Sequence, residues 1–167
     1  MKKVAVSGKS STENIITKNS PSSAKLSINS YLEVPEYPVE IEARVRYSEV
    51  DRFGVAHNKH YFEWFEIGRT EYCRQKGLPY KEIEEKGFVL VVVEAFCRYR
   101  RPLRYDDRFL IQVACCEAKP RKIVFAYRLM TPERTTIIAQ GYTIHVPVNS
   151  RAEVTPLPSD LLARLSA

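Results

Sequence analysis

The sequence has no long hydrophobic run, few histidines and no paired-cysteine motif. The longest apolar stretch, Phe88 to Val93, is long enough for a buried strand and too short to cross a membrane. Of three histidines, His57 and His60 lie three positions apart and His145 is distant, which gives a zinc site little support. Without CxxC spacing, the four cysteines are interpreted as reduced thiols: Cys73, Cys97, Cys115 and Cys116. The sequence therefore predicts no membrane span, no disulfide framework, no metal and no cofactor.

The net charge of +6 is concentrated at the N-terminus. Five lysines and one glutamate among residues 1–30 contribute +4, and the remaining 137 residues contribute only +2. A nearly neutral folded part argues against nucleic acid as a partner. A local basic patch would still suit a phosphorylated small molecule.

The chain of 167 residues divides into an arm and one folded domain. Residues 1–37 are rich in Ser, Lys, Asn and Thr and lack apolar periodicity, which predicts a disordered or loosely attached arm. The arm resembles an organellar transit peptide only faintly, because it contains no arginine. It also lacks the apolar core of a secretory signal peptide. We expect one domain over residues 38–167 and a cytoplasmic location.

The folded part predicts an α+β architecture in which an antiparallel sheet of five strands wraps one long central helix. Apolar and charged residues alternate over residues 41–47, as in a half-buried strand. A mostly apolar helix follows over Tyr61–Lys76, and a short one over Tyr80–Lys86. Four β-rich runs are expected to form a meander: Phe88–Arg100, Arg108–Ala118, Lys122–Thr131 and Thr135–Pro147. Gly68, inside the long helix, predicts that another backbone or a sheet approaches closely there.

Asp51 is the main candidate for chemistry. It lies between the first strand and the long helix, in a Gly-containing turn. A helix N-terminus offers unpaired N–H groups and partial positive charge, which would polarise a carbonyl held beside Asp51. The alternative is that Asp51 is only a turn or helix-capping residue, which is a common use of Asp before a helix.

Several patterns resemble, in order, the hotdog-fold acyl-CoA thioesterases of the 4-hydroxybenzoyl-CoA thioesterase family, particularly the Tol-Pal-associated branch. The patterns are Tyr47-x-x-x-Asp51-x-x-Gly54 with Tyr61 seven residues later, Phe65-Glu66 with Arg69-Thr70-Glu71, Pro102-x-Arg104-x-Asp106-Asp107, and the TPLP of residues 155–158. The resemblance covers residues 39–167 and implies a single hotdog domain.

By that resemblance, Asp51 is the catalytic carboxylate, as nucleophile or general base, and the backbone N–H of Asn58 polarises the thioester carbonyl. Family members often carry His or Tyr at this position, whereas here the histidine is His57. The substrate-binding residues implied or expected are Tyr47, Gly54, His57 and Tyr61, with Lys119, Arg121 and Lys122 for the CoA phosphates. The resemblance also implies a homodimer or homotetramer with the active site between subunits.

Two functions from different classes stay open. The first is hydrolysis of acyl-CoA or of an acyl group on a carrier protein. The second is a non-catalytic hotdog module that binds acyl thioesters or a protein partner. Glu66 is a lesser catalytic candidate, since another hotdog branch uses a helix glutamate, although a salt bridge is its commoner role. A hotdog dehydratase is disfavoured because its His-containing motifs are missing, and the acyl group is not revealed.

Overall fold

The computed structural model describes residues 28–33 and 35–166. This part of the chain contains five strands, three α-helices and two short 3-10 turns, which lie before and after the first strand. The elements are β1 (Val39–Arg44), α1 (Lys59–Gln75), α2 (Tyr80–Glu85), β2 (Val89–Tyr99), β3 (Arg108–Lys119), β4 (Lys122–Met130), β5 (Ile137–Val148) and α3 (Ser159–Ser166). The 3-10 turns cover Ile28–Tyr31 and Tyr47–Glu49.

The strands form one antiparallel sheet in the order β1-β3-β4-β5-β2, with α1 packed on one face. This confirms the predicted fold class. The expected four-strand meander is right for β3, β4 and β5 and wrong for β2, which pairs with β5 and not with β3. The chain leaves β1 at one edge of the sheet, passes through α1 and α2, and enters β2 at the opposite edge. Sequence periodicity predicts strands but not their order, because the order depends on these crossovers.

The close approach predicted at Gly68 is confirmed. A Cβ atom built on Gly68 would lie 2.6 Å from Cγ2 of Val113 and 2.8 Å from Cγ2 of Ile111, both on β3. These distances are far below van der Waals contact, so only glycine lets the helix backbone lie this near the sheet. Phe65, one turn earlier, stacks on Tyr127 of β4 with ring centroids 4.3 Å apart. The helix is thus fixed against the centre of the sheet.

The segment before β1 lies against the sheet where the structure describes it. Tyr31 packs on Tyr142 of β5, with ring centroids 5.2 Å apart, and Leu32 is buried. Most of the predicted arm, residues 1–27, lies outside the described residues. Within the described ranges, no helix is long and apolar enough to span a membrane.

A series of buried polar side chains in contact with one another lies between α1 and the sheet. The Thr143 hydroxyl is 2.8 Å from the Tyr127 hydroxyl and 2.8 Å from Nε2 of His145, and that nitrogen lies 3.4 Å from Nη1 of Arg69. His145 is fully buried, and burial together with the nearby Arg69 cation lowers its pKa to about 4. The folded protein therefore holds a neutral imidazole where the unfolded chain would bind a proton.

We predict that acid weakens the fold through His145. In the unfolded chain the histidine pKa is about 6.5, whereas in the folded protein the pKa of His145 is about 4. Between these pH values the unfolded chain binds a proton that the folded protein does not bind, so unfolding is favoured. This contribution destabilises the fold progressively as pH falls from about 6.5 to 4, by about 3 kcal/mol in all. Urea unfolding at several pH values checks it. His145→Gln should flatten the pH dependence in this window, and His57→Gln, at an exposed histidine, should not; equal slopes in all three proteins would contradict it.

Candidate active site

Asp51 lies in a closed turn between the second 3-10 turn, Tyr47–Glu49, and α1. Its N–H donates to the carbonyl of Val55 at 2.9 Å, and its own carbonyl accepts the N–H of Gly54 at 2.9 Å. Gly54 has φ +72°, a left-handed conformation that glycine adopts without strain. One carboxylate oxygen, Oδ1, accepts the N–H of Phe53 at 2.8 Å. The other, Oδ2, accepts no hydrogen bond from the residues described, so the carboxylate is oriented yet keeps one oxygen free.

Asp51 does not cap helix α1, although the hydrogen bond that it accepts from the N–H of Phe53 is one that a turn aspartate makes. Helix α1 begins at Lys59, two residues before the predicted start, and Asn58 occupies the N-cap position. The first N–H groups of the helix are taken locally: His60 and Tyr61 donate to the carbonyls of His57 and Asn58. The N–H of Asn58 itself has no acceptor among residues 28–33 and 35–166. This leaves one free backbone donor at the positive end of α1.

Asp51 and Asn58 line the same open cavity, which has a volume of about 470 Å³. Two other residues predicted for substrate binding, His57 and Tyr61, line it as well. The remaining wall comes from the turn and from the end of β2: Val55, Ala56, Tyr99, Arg100, Arg101 and Pro102. The structure thus brings together four of the residues that the sequence singled out.

Arg100, Arg101 and Pro102 were not among the predicted site residues, because long-range contacts bring this segment to the cavity. Ala56 donates its N–H to the carbonyl of Leu103 at 2.8 Å, and Val55 forms a β-bridge with Arg104. These contacts draw the segment after β2 against the Asp51 turn. No local sequence signal encodes them; only the Pro102-x-Arg104 pattern of the resemblance pointed to this segment.

Asp51 is the one carboxylate among the residues that line the cavity. Burial raises the pKa of Tyr61 to about 12 and that of Tyr99 to about 12, so neither supplies a phenolate near neutral pH. Arg101 makes no ion pair within the described residues, whereas Nε of Arg100 donates to Gln140 at 3.0 Å. The cavity therefore combines one anionic base or nucleophile, one free backbone donor and nearby cationic groups.

Some predicted residues lie elsewhere. Tyr47 is 78% exposed and packs edge-on against Tyr105, outside the cavity wall. Gly54 shapes the turn without lining the cavity. Glu66 lies on the exposed side of α1 and lines a different depression with Ile41 and Ile67.

The basic hairpin between β3 and β4, residues 119–122, lines a separate depression with Pro156. Two of its cations are already paired, since Lys119 and Lys122 contact the Glu117 carboxylate at 2.7 and 2.9 Å. Arg121 is exposed and makes no ion pair within the part of the chain described. Strand register puts the hairpin level with His145, whereas the cavity lies level with Ile138 at the other end of β5. Within one chain, the hairpin and the cavity are therefore at opposite ends of the sheet.

One group of side chains in the described residues has the proximity that a metal site needs. Ligand atoms of Glu49, His60 and Glu63 lie within 4.8 Å of one another. However, the Glu49 carboxylate already pairs with Arg46, and Nδ1 of His60 lies 2.7 Å from Glu63. A cation there would displace the guanidinium, so the donors present do not favour a metal.

Comparison with known proteins identifies the family of the chain. The sequence profile of the Thioesterase-like superfamily matches residues 45–165. The chain is 30% identical over 125 residues to an Aquifex aeolicus protein named "Putative esterase", covering 75% of this chain and 95% of that one. It is 31% identical over 91 residues to Bacillus subtilis "Putative acyl-CoA thioesterase YneP", covering 54% of this chain and 66% of that one.

A solved structure of a hypothetical Aquifex aeolicus protein, AQ1494, superposes with a TM-score of 0.72 at 30% identity, covering 77% of this chain and all of that one. The profile match spans well over half of the chain, and it includes the Asp51 turn, α1 and the whole of the sheet after β1. The protein belongs to the Thioesterase-like superfamily.

Proposed function

We propose that this protein is an acyl-CoA thioesterase that hydrolyses an acyl thioester to the free acid and the thiol. Asp51 is the catalytic carboxylate, and the backbone N–H of Asn58 binds the thioester carbonyl oxygen. The observation that carries the proposal is that a carboxylate with one free oxygen and a helix N-terminal N–H without an acceptor line one cavity. Membership of the superfamily and the name of the Bacillus subtilis relative support the same activity.

Two routes fit these groups. As a general base, Asp51 takes a proton from water while the water oxygen attacks the carbonyl carbon, the C–S bond breaks, and the thiolate receives the proton. As a nucleophile, Asp51 attacks the carbonyl carbon, expels the thiolate and forms an anhydride that water then cleaves. In both routes the carbonyl oxygen becomes negative in the transition state, where the N–H of Asn58 stabilises it. His57 and Tyr61 are proposed to contact the substrate from the cavity wall.

Finer assignments rest on the sequence patterns. The order of the motifs favours the 4-hydroxybenzoyl-CoA thioesterase family and its Tol-Pal-associated branch. A cytoplasmic location is part of the same proposal. The mixed aromatic and cationic wall suits either CoA or a carrier protein as the thiol.

We predict that Asp51→Asn abolishes thioester hydrolysis, because an amide is neither a base nor a nucleophile here. The measurement is thiol release from short, medium, long and aromatic acyl-CoAs and from acyl-carrier protein, with wild type and variant side by side. Glu66→Gln, which removes a carboxylate on α1 outside the cavity, is the matched control and should retain activity.

A second outcome would favour the non-catalytic alternative. Thioester binding by the wild type without turnover, or slow hydrolysis that Asp51→Asn leaves unchanged, would point to a binding module. Loss of activity in Glu66→Gln but not in Asp51→Asn would move the catalytic role to the helix glutamate.

The backbone donor can be tested separately from its side chain. Asn58 has φ −54°, which proline accepts, and its N–H has no acceptor within the described ranges, so Asn58→Pro removes the donor without breaking a protein hydrogen bond. We expect kcat/KM to fall about 100- to 1,000-fold in Asn58→Pro. Asn58→Ala keeps the N–H and should stay close to wild type. Equal losses in both variants, measured on proteins with matching circular dichroism, would assign the role to the side chain instead.

We further propose that the protein functions as a homodimer joined through β2. This strand forms one edge of the sheet, and it exposes an apolar run, Val91 to Val93, with exposed fractions of 41–59%. An edge strand with exposed valines is a template for another strand. A second copy of the chain can pair with this edge, because two antiparallel β2 strands are related by a two-fold axis. Pairing of this kind buries the same valine patch on both chains.

The same arrangement accounts for the distant basic hairpin. When two β2 strands run antiparallel, the end of β2 beside one cavity lies next to the beginning of β2 of the partner. That end of the partner sheet carries the partner's hairpin, residues 119–122. Counting from β2 beside the cavity, the partner's β4 is the third strand along, after the partner's β2 and β5, which corresponds to about 15 Å. Lys119, Arg121 and Lys122 of each chain would thus serve the cavity of the other, at a distance suited to the phosphates of CoA.

We predict that Val93→Lys dissociates the dimer, because it places a charge in the buried β2 contact. Light scattering after size-exclusion chromatography should show a dimer for wild type and a monomer for the variant. Val154→Lys is the matched control: Val154 is similarly exposed, at 56%, but lies outside β2. An unchanged mass for Val93→Lys, or equal dissociation in both variants, would contradict the β2 interface.

A further inference from the structure

Glu49 is a buried carboxylate placed directly behind the candidate active site. It is only 2% exposed, although it lies two residues before Asp51 in a surface turn. Burying a carboxylate is costly unless donors surround it. No pattern in the sequence distinguishes this residue from an ordinary surface carboxylate.

Four hydrogen-bond donors hold the Glu49 side chain. Oε2 accepts the backbone N–H of Arg46 at 2.7 Å, and Oε1 accepts Nε of Arg46 at 3.0 Å and Nε1 of Trp64 at 3.2 Å. Nη2 of Arg46 adds an ion pair to Oε1 at 2.8 Å. Burial alone would raise the pKa of Glu49, but these hydrogen bonds lower it overall, so the carboxylate is charged at neutral pH.

Through these bonds Glu49 joins three segments. Arg46 ends the stretch after β1, and Trp64 lies inside α1, fully packed between Tyr61 and Phe109. The main-chain carbonyl of Glu49 also accepts the N–H of His57 at 2.9 Å. His57 immediately precedes Asn58. Glu49 therefore contacts α1 twice, through its side chain at Trp64 and through its main-chain carbonyl at the start of the helix.

The turn that carries Asp51 is closed at the same place. Val50 forms a β-bridge with Ala56, and Asp51 pairs with Val55, so residues 49–57 make a small loop whose two ends meet at Glu49. Asp51 is on one arm of this loop, and Asn58 follows the other arm. The side chain of Glu49 ties the loop to Trp64 and thereby to the body of the helix.

We propose that Glu49 is a positioning residue that sets the distance between the Asp51 carboxylate and the N–H of Asn58. This inference rests on the proposed thioesterase function. A displacement of about 1 Å between reacting groups can cost about 100-fold in rate, so a loop released from Trp64 would act mainly on the chemical step. Tyr61 and residues 99–102, which form the rest of the cavity wall, lie outside this loop, so substrate binding should change less than the chemical step.

The test compares kcat and KM of Glu49→Gln and wild type on the acyl-CoA that wild type hydrolyses best. The amide keeps the shape and can still accept the indole hydrogen bond, but it loses the charge that pairs with Arg46. We expect kcat to fall about 10- to 100-fold with KM nearly unchanged. Glu63→Gln is the matched control: its carboxylate also lies within 4.8 Å of Glu49, but Glu63 is exposed and its hydrogen bond is to His60, not to Arg46 or Trp64.

A folded Glu49→Gln protein with wild-type kcat would overturn the proposal, as would a rise in KM alone. If Glu49→Gln does not fold, Trp64→Phe replaces it, since this change keeps an aromatic ring and removes one donor to Oε1. A kcat for Trp64→Phe equal to that of wild type would then overturn the proposal, and a lower kcat at constant KM would support it.

Failure of the proposed function is distinguishable from failure of this inference. Asp51→Asn is assayed in the same series, and wild-type turnover that does not depend on Asp51 overturns the thioesterase mechanism. Asp51-dependent turnover that does not depend on Glu49 overturns only the positioning role. Amide resonances of His57 and Asn58 in a nitrogen–proton correlation spectrum give a readout without substrate: they should shift in Glu49→Gln and stay in place in Glu63→Gln.

Discussion

The close contact of α1 with β3 at Gly68 is the constraint on which the rest of the structure depends. Because no side chain separates the helix backbone from Val113 and Ile111, α1 lies at one fixed height above the sheet. Its N-terminus then meets the turn that follows β1, and Trp64 reaches Glu49. The cavity with Asp51 and Asn58 exists only because the helix is held there. A larger residue at position 68 would lift the helix and separate these groups.

The fold class and most strand bounds could be predicted from the sequence, because alternation in β1 and β-rich runs in β2 to β5 are local signals. The helix start was placed two residues late, since Lys59 and His60 are polar and carry no apolar periodicity. The position of β2 beside β5 could not be predicted, because pairing is decided by contacts between distant residues. Gly68 was an informative exception: an unfavourable helix residue indicated a tertiary contact correctly.

The candidate site divides in the same way. Asp51, His57, Asn58 and Tyr61 come from one continuous stretch, so the sequence could nominate them together, and they line one cavity. Arg100 to Pro102 come from beyond β2 and reach the cavity only through main-chain bonding of Ala56 to Leu103. Glu49 escaped notice for another reason. An acidic residue in a polar turn looks like surface, and only the fold reveals that it is buried.

The order of the strands also has a consequence for how the chain folds. Val39 of β1 pairs with Val113 of β3, and Val89 of β2 pairs with Val148 near the end of β5, so both edges of the sheet are completed by residues made much later. Contacts of such sequence separation form slowly. Throughout this delay the valine run of β2 has no strand beside it, and in a crowded mixture of new chains it is the segment most prone to pair with the wrong neighbour. Synthesis rate and chaperone supply would therefore influence how much native protein forms.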